Sequence, residues 1–208
     1  MSYSLNEMEA TAKRATRGAG YSWGLAEEAG KATRWLCAHG LEGGAALARL
    51  LEQGLANPAD HAPQTLDGDW AGSGMLCPLT AGALVSDLAG RLQTGPIHMR
   101  EVAVPIALLP FAASVARRLR SCVNVECDGQ VAVTDGSDLS VPDGFPETAQ
   151  HVTVRLGGSL VSGCTRKTRA RPDPASWAVL NRFAHRTYAP ATEESRLLGA
   201  GAGLSDND

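Results

Sequence analysis

The densest group of side chains capable of chemistry lies near the C-terminal end of the sequence. His185, Arg186, Tyr188, Ser195 and Arg196 fall within a dozen residues of one another. A guanidinium group binds carboxylates and phosphates through paired hydrogen bonds, and an imidazole exchanges protons near neutral pH. The pattern predicts a site for a small anionic ligand, bound by the arginines, Tyr188 and Ser195, with His185 as the catalytic proton-transfer group.

A second run of cations precedes the last predicted helix, where Arg166, Lys167, Arg169 and Arg171 stand in the segment CTRKTRARPDP. The alternative interpretation of both groups is a solvated surface whose cations pair with the chain's own acids, as exposed ion pairs commonly do. Binding to nucleic acid is not expected, because no aromatic side chains alternate with these cations and the net charge is −3.

Three further candidates lie in the first half of the chain. Cys77 precedes Pro78, which is typical of a first helical residue, and a helix N-terminus favours the reactive thiolate, so Cys77 is a candidate catalytic nucleophile. The alternative is an ordinary buried thiol, since the sequence places no histidine nearby. Glu27 and Arg34 lie two turns apart on a predicted helix and are candidates for lining a ligand cleft.

A glycine-rich segment, GAGAGLSDND, closes the sequence at residues 199–208. A phosphate-binding glycine loop needs a strand before it and a helix after it, and too few residues follow here. Two interpretations stay open: an unstructured end, or a segment that packs through Leu197, Leu198 and Leu204. A segment that packs against its own chain supports the anion site, because it lies beside the arginines. A segment that docks onto a partner or a second copy of the chain instead makes this a non-catalytic interaction protein or a homo-oligomer.

The composition narrows the class of protein. No apolar run is long enough to span a bilayer, and the first residues lack the apolar stretch of a secretory signal. Five cysteines without a CxxC pair, and five histidines without ligand spacing, predict free thiols in a cytoplasmic protein and no metal site. The sequence does not name a cofactor.

Hydrophobic periodicity and capping signals predict an α+β fold. Helices are expected first, then strands, then a last helix that Asp173 caps. Ser4 and Glu7 predict a capping box at the first helix, and Ser22 is the predicted cap of the second. We divide the chain into a helical subdomain (residues 1–56), a strand-containing body (74–190) and a glycine-rich tail (191–208). In the hairpin at 121–134, we prefer a three-residue loop that pairs Val125 with Val131 over a two-residue Asp128–Gly129 turn that pairs Val125 with Ala132.

The two ends of the sequence carry recognisable signatures, SLNEMEATAKRATRGAGYSWGLAEEAGKATRWL and RTYAPATEESRLLGAGAGLSDND. They resemble the opening and closing signatures of a bacterial family that has only a domain-of-unknown-function label. The resemblance implies a stand-alone cytoplasmic bacterial protein. It supplies no catalytic residues.

Overall fold

The computed structural model describes residues 1–161 and 165–188. The helices of this part of the chain are α1 (Leu5–Gly18), α2 (Trp23–Ala38), α3 (Gly43–Glu52), α4 (Pro58–His61), α5 (Pro78–Asp87), α6 (Leu109–Leu119) and α7 (Pro174–His185). The strands are β1 (Tyr3–Ser4), β2 (Ile97–Ala103), β3 (Val123–Cys127), β4 (Gln130–Thr134), β5 (Leu139–Ser140), β6 (Thr148–Leu156) and β7 (Arg169–Ala170). The presence of both helices and antiparallel strands confirms the predicted α+β class.

Side-chain caps fix where three of the helices begin. Ser4 and Glu7 form the predicted capping box at α1, in which each side chain accepts a hydrogen bond from the other residue's backbone N–H. Ser22 caps α2 by accepting from the N–H of Leu25, and Asp173 caps α7 by accepting from the N–H of Ser176. These starting points are therefore set by local sequence.

The larger sheet has five strands in the order β2-β6-β3-β4-β5, and every neighbouring pair is antiparallel. An apolar cluster fills the space between this sheet and helices α5 and α6. A second cluster lies among α1, α2, α3 and α7, and it extends to Cys77, Leu79 and Phe111. The helical layer and the sheet layer thus meet at α5 and α6.

The register of the hairpin between β3 and β4 differs from the one we preferred. Val125 pairs with Ala132 and Cys127 pairs with Gln130, so the turn has two residues rather than three. Residues directly opposite each other share a face of the sheet. Val125 therefore lies on the buried face with Ala132, whereas Val131 lies on the other face and is 40 % exposed.

Two features of the turn explain this register. Asp128 and Gly129 both have positive φ, 47° and 88°, as a type I′ turn requires, and this turn matches the twist of the flanking strands. The carboxylate of Asp128 also accepts hydrogen bonds from the backbone N–H groups of Gln150 and His151 on β6. The prediction of a three-residue loop was wrong. It rested only on placing the valines on one face, and it took no account of the turn geometry or of the hydrogen bonds from β6.

The first and last described helices pack with their backbones close together. A Cβ atom added to Gly18, at the end of α1, would lie 1.9 Å from the carbonyl oxygen of Phe183 on α7. On the other side of α1, Gly30 of α2 lies against the backbone of Glu9 in the same way, at 3.0 Å. Glycine at these positions lets three helices form one layer. No helix among the described residues is both long and apolar enough to cross a membrane.

Candidate functional site

Residues 166–171, which we name the basic strip, lie beside the start of α1. β7 within the strip pairs with β1, and the backbone N–H of Lys167 donates to the carbonyl of Ala38 at the end of α2, at 2.8 Å. The side chain of Arg169 donates two hydrogen bonds of 2.8 Å to Ser2, one to its hydroxyl and one to its carbonyl. The residues before α1 and the end of α2 therefore fix the position of the strip.

One side of the basic strip faces a cavity of about 490 Å³, which we name groove A. Its other wall is the turn between α2 and α3. The lining residues are Ser2, Cys37, Gly40, Leu41, Glu42, Gly44, Lys167, Thr168, Arg169, Ala170, Arg171 and Pro172. The volume lies in the range of small-molecule sites, which is about 300–1,000 Å³.

Two cations of groove A have no partner among the described residues. Lys167 and Arg171 take part in no side-chain hydrogen bond or ion pair there, and both side chains are exposed. Glu42 is the acid that lines the same cavity. Groove A therefore presents an excess of positive charge in a chain whose net charge is −3.

Cys37 forms part of the floor of groove A and is 6 % exposed. Burial raises the pKa of its thiol, and hydrogen bonds from the backbone N–H groups of Gly44 and Gly43 oppose that rise. These N–H groups belong to the first turn of α3, where Glu42 makes no side-chain cap. Burial is the larger of these effects, so the thiol form is favoured.

The other side of the basic strip faces a second cavity of about 390 Å³, which we name groove B. Its lining residues are Leu5, Glu9, Lys31, Arg34, Trp35, Ala38, Arg166 and Lys167. Arg34 lies 2.9 Å from the carboxylate of Glu9, and Arg166 donates to the carbonyl of Ser137. Lys167 lines both grooves, so the two cavities share one residue of the strip.

The predicted cluster of His185, Arg186 and Tyr188 lies elsewhere, at the end of α7. The Tyr188 hydroxyl accepts a hydrogen bond of 2.7 Å from Arg14, and its ring meets that of His185 edge-on at 5.3 Å. The guanidinium of Arg186 lies 4.5 Å from the centre of the Phe183 ring. Arg14 is near the C-terminal end of α1, whereas the basic strip contacts residues before its N-terminal end. A helix of this length is about 20 Å long, so the two groups of cations are separate.

The remaining candidates have different surroundings. Glu27 forms an ion pair of 2.6 Å with Lys13 on α1, whose hydrogen bond lowers the pKa of the Glu27 carboxyl, whereas Arg34 lines groove B. Cys77 is fully buried and does not line either groove. Ser195, Arg196 and the glycine-rich segment lie outside the described residues.

The sequence showed the cations of the basic strip, but they were not among the residues predicted to bind the ligand. Cys37 and Glu42 were not predicted as site residues either. The signal that could have found them is the glycine pair in HGLEGG, residues 39–44. A Cβ atom on Gly43 would lie 2.7 Å from the carbonyl of Thr33, and one on Gly44 would lie 3.3 Å from Pro172. Glycine lets the α2–α3 turn pack this closely. Among the described residues, no three His, Cys, Asp or Glu side chains are grouped to hold a metal ion.

Comparison with known proteins gives limited similarity. No curated protein matches the chain. A crystal structure of malate dehydrogenase from Entamoeba histolytica is similar with a TM-score of 0.45 and 10 % sequence identity. The similarity covers 78 % of this chain and 50 % of that chain. Values this low do not establish a shared activity.

The N-terminal half gives a match to a family model. Residues 3–89 match the family described as "Protein of unknown function (DUF3726)", and this range runs from β1 to the residues just after α5. It includes the first of the two sequence signatures and the helices that form one wall of both grooves. The basic strip lies beyond it. Residues 3–89 are therefore similar to an uncharacterised family of unknown function, as the resemblance predicted.

Proposed function

We propose that the chain binds a small anionic metabolite in groove A, as an enzyme or as the subunit of one. The observation that carries the proposal is the pair of cations, Lys167 and Arg171, that line a cavity of about 490 Å³ without a described acidic partner. A carboxylate or phosphate there gains charge-assisted hydrogen bonds from both side chains. It also relieves the repulsion between neighbouring cations of the strip.

The same cavity contains groups for further chemistry on a bound anion. The carboxylate of Glu42 lines the wall opposite the strip, and it can accept a proton or a hydrogen bond from a hydroxyl or ammonium group of the ligand. The thiol of Cys37 lies at the floor, in its neutral form. A ligand with an anionic group at the strip and a polar group toward Glu42 fits this distribution of charge.

Isothermal titration calorimetry on the full chain tests the proposal, with inorganic phosphate and butyrate as probes. Arg171→Gln and Lys167→Gln should each weaken binding about tenfold or more, since a hydrogen bond to a charged group contributes about 1.5–3 kcal/mol. Arg182→Gln is the matched control, because Arg182 pairs with Glu52 and does not line either groove. Failure of both probes to bind the wild type contradicts the proposal. Equal affinities of Arg171→Gln, Lys167→Gln and the control Arg182→Gln contradict it as well.

A second candidate function is self-association, supported by a different surface. Trp23 at the start of α2 is 61 % exposed, and the cations of Lys13 and Arg17 lie 5.9 and 5.2 Å from its ring centre. Tryptophan and arginine are the residues most enriched at interface positions that dominate binding energy. We propose a second copy of the chain as the partner of this surface.

Light scattering after size-exclusion chromatography, over a range of protein concentrations, tests this second function. Trp23→Ala should shift the protein toward the monomer. Leu66→Ala, at an apolar side chain that is 37 % exposed, should leave the mass unchanged. A wild-type protein that stays monomeric at every concentration contradicts self-association.

A further inference from the structure

The side chain of Lys167 connects the two cavities beside the basic strip. It lines groove A and groove B, and the hydrogen bond from its backbone N–H to Ala38 fixes its origin. Its Cε atom lies 3.7 Å from the position that a Cβ atom on Gly40 would occupy, so the aliphatic stem crosses the surface of that glycine. Lys167 is therefore part of the wall that the two grooves share, and its stem lies over a glycine that lines groove A.

The residues that line the two grooves include more cations than acids. The lining cations are Lys31, Arg34, Arg166, Lys167, Arg169 and Arg171, and the lining acids are Glu9 and Glu42. Acids outside the lining act on three of these cations: Glu27 and Glu28 on Lys31, Glu7 on Arg169, and Asp135 on Arg166. Lys167 and Arg171 are the lining cations to which the described residues supply no acidic partner. A ligand with one carboxylate on groove A leaves the cations of groove B without an added counter-charge.

Groove B has the features of a separate subsite. The carboxylates of Glu9 and Glu28 position Arg34 and Lys31 through contacts of 2.9 and 2.7 Å. Arg166 is held by the Ser137 carbonyl through a single Nη2 atom, so its other donors stay available. The remaining lining side chains, Leu5, Trp35 and Ala38, are apolar or aromatic and suit a short carbon chain.

We infer that grooves A and B are two subsites for a single ligand that carries two anionic groups, joined across Lys167. This inference rests on the proposed function of groove A. The ligand class is a short dicarboxylate or a carboxylic acid that also carries a phosphoryl group. Lys167 and Arg171 bind one anionic group, and Lys167 with Arg166 binds the other.

Calorimetry on the full chain, with three probes at one ionic strength, separates the inference from the proposed function. Butyrate has one anionic group, glutarate has two carboxylates, and 3-phosphonopropionate has a carboxylate and a phosphonate. Glutarate or 3-phosphonopropionate should bind about tenfold or more tightly than butyrate, because the second group gains its own charge-assisted hydrogen bonds. The better of the two identifies the second anionic group.

Variants on the two sides of the strip complete the test. Arg166→Gln should lower the affinity of the preferred dianion to that of butyrate and leave butyrate unchanged, whereas Arg171→Gln should weaken both. Lys31→Gln repeats the groove B test without removing the contact between Arg166 and Ser137. Butyrate binding as tightly as both dianions overturns the inference alone, as does an equal effect of Arg166→Gln on all probes. Failure of every probe to bind overturns the proposed function as well.

Discussion

The hydroxyl of Tyr21 lies 3.4 Å from the sulfur of Cys77, and the two residues are 2 % and 0 % exposed. This contact joins the turn between α1 and α2 to the residue that precedes α5. Burial is the main cause that raises the pKa of Tyr21, and the nearby thiol adds to it. Cys77 therefore has the surroundings of a buried structural thiol, which is the alternative to the predicted nucleophile.

Thiol labelling should follow these differences in burial. With iodoacetamide at pH 8, half-buried Cys122 should react in the folded protein, whereas Cys77 and Cys127 should be protected. Burial raises the pKa of the Cys127 thiol to about 12, so its neutral form persists in the fold. Mass spectrometry of tryptic peptides measures the labelling, with the urea-unfolded protein as the control. Native labelling of Cys77 at the rate of Cys122 would support the prediction of a catalytic nucleophile.

A linked pH effect follows from Cys127. Because the pKa of this thiol is raised in the folded state, its contribution to stability is fully present below the ordinary value of about 8.5. The contribution is lost as the pH rises from there toward 12. Replacing Cys127 with Ala should therefore flatten the loss of stability in alkaline urea titrations.

Glycine-to-alanine substitutions should have opposite effects on stability at the contact between α1 and α7 and at an open position on α2. Gly18→Ala places a Cβ atom 1.9 Å from the Phe183 carbonyl, and overpacking of this kind destabilises by about 1–3 kcal/mol. Gly24→Ala, in the first turn of α2, meets no atom within 4 Å and should stabilise by about 0.5–1 kcal/mol. Urea unfolding midpoints measure both. Similar midpoints for the two variants would contradict the close packing.

The end of α6 offers a stabilising substitution. Arg120 follows the helix with φ 52° and ψ 43°, a left-handed conformation that costs a non-glycine residue about 1–2 kcal/mol. Arg120→Gly should therefore raise the free energy of unfolding by about 1 kcal/mol. Arg118→Gly, inside the same helix, should lower it by about 1 kcal/mol. Thermal unfolding of both variants gives the comparison, and a destabilising Arg120→Gly would be the opposite result.

The cap of α7 predicts a pH dependence at acid pH. Hydrogen bonds from the side chain and backbone of Ser176 lower the pKa of Asp173. A lowered carboxyl pKa gives stability that is present above the ordinary value of about 3.9 and is lost as the pH falls through the folded-state value. Asp173→Asn keeps a capping acceptor that does not titrate. The wild type should be the more stable of the two above pH 4, and the difference should close on acidification.

The features of this fold that depend on residues close together in sequence could be predicted, and those that depend on distant residues could not. The capping box at Ser4 and the caps at Ser22 and Asp173 involve neighbours within three residues, and all three were predicted. The hairpin register was not, because Asp128 is held by N–H groups of β6, more than 20 residues further along the chain. A contact between residues so far apart cannot be predicted from the residue types next to the turn.

The candidate site shows the same limit. Arginine density near residue 186 suggested one pocket, but α1 separates that cluster from the basic strip. Groove A brings together Cys37, Glu42 and Arg171 from segments that are far apart in sequence. Their grouping depends on the approach of Gly44 to Pro172, which a single sequence does not reveal.

The packing of α7 against α1 also has a consequence for synthesis of the protein. The backbone surface of α1 at Gly18 is covered by Phe183, which is made more than 160 residues later. At roughly 5–20 residues per second, α1 waits about 10–30 s on the ribosome before its partner emerges. During that interval the apolar side of the first helices is open to chaperones and to neighbouring nascent chains. Completion of the helical layer is thus a late event, timed by translation.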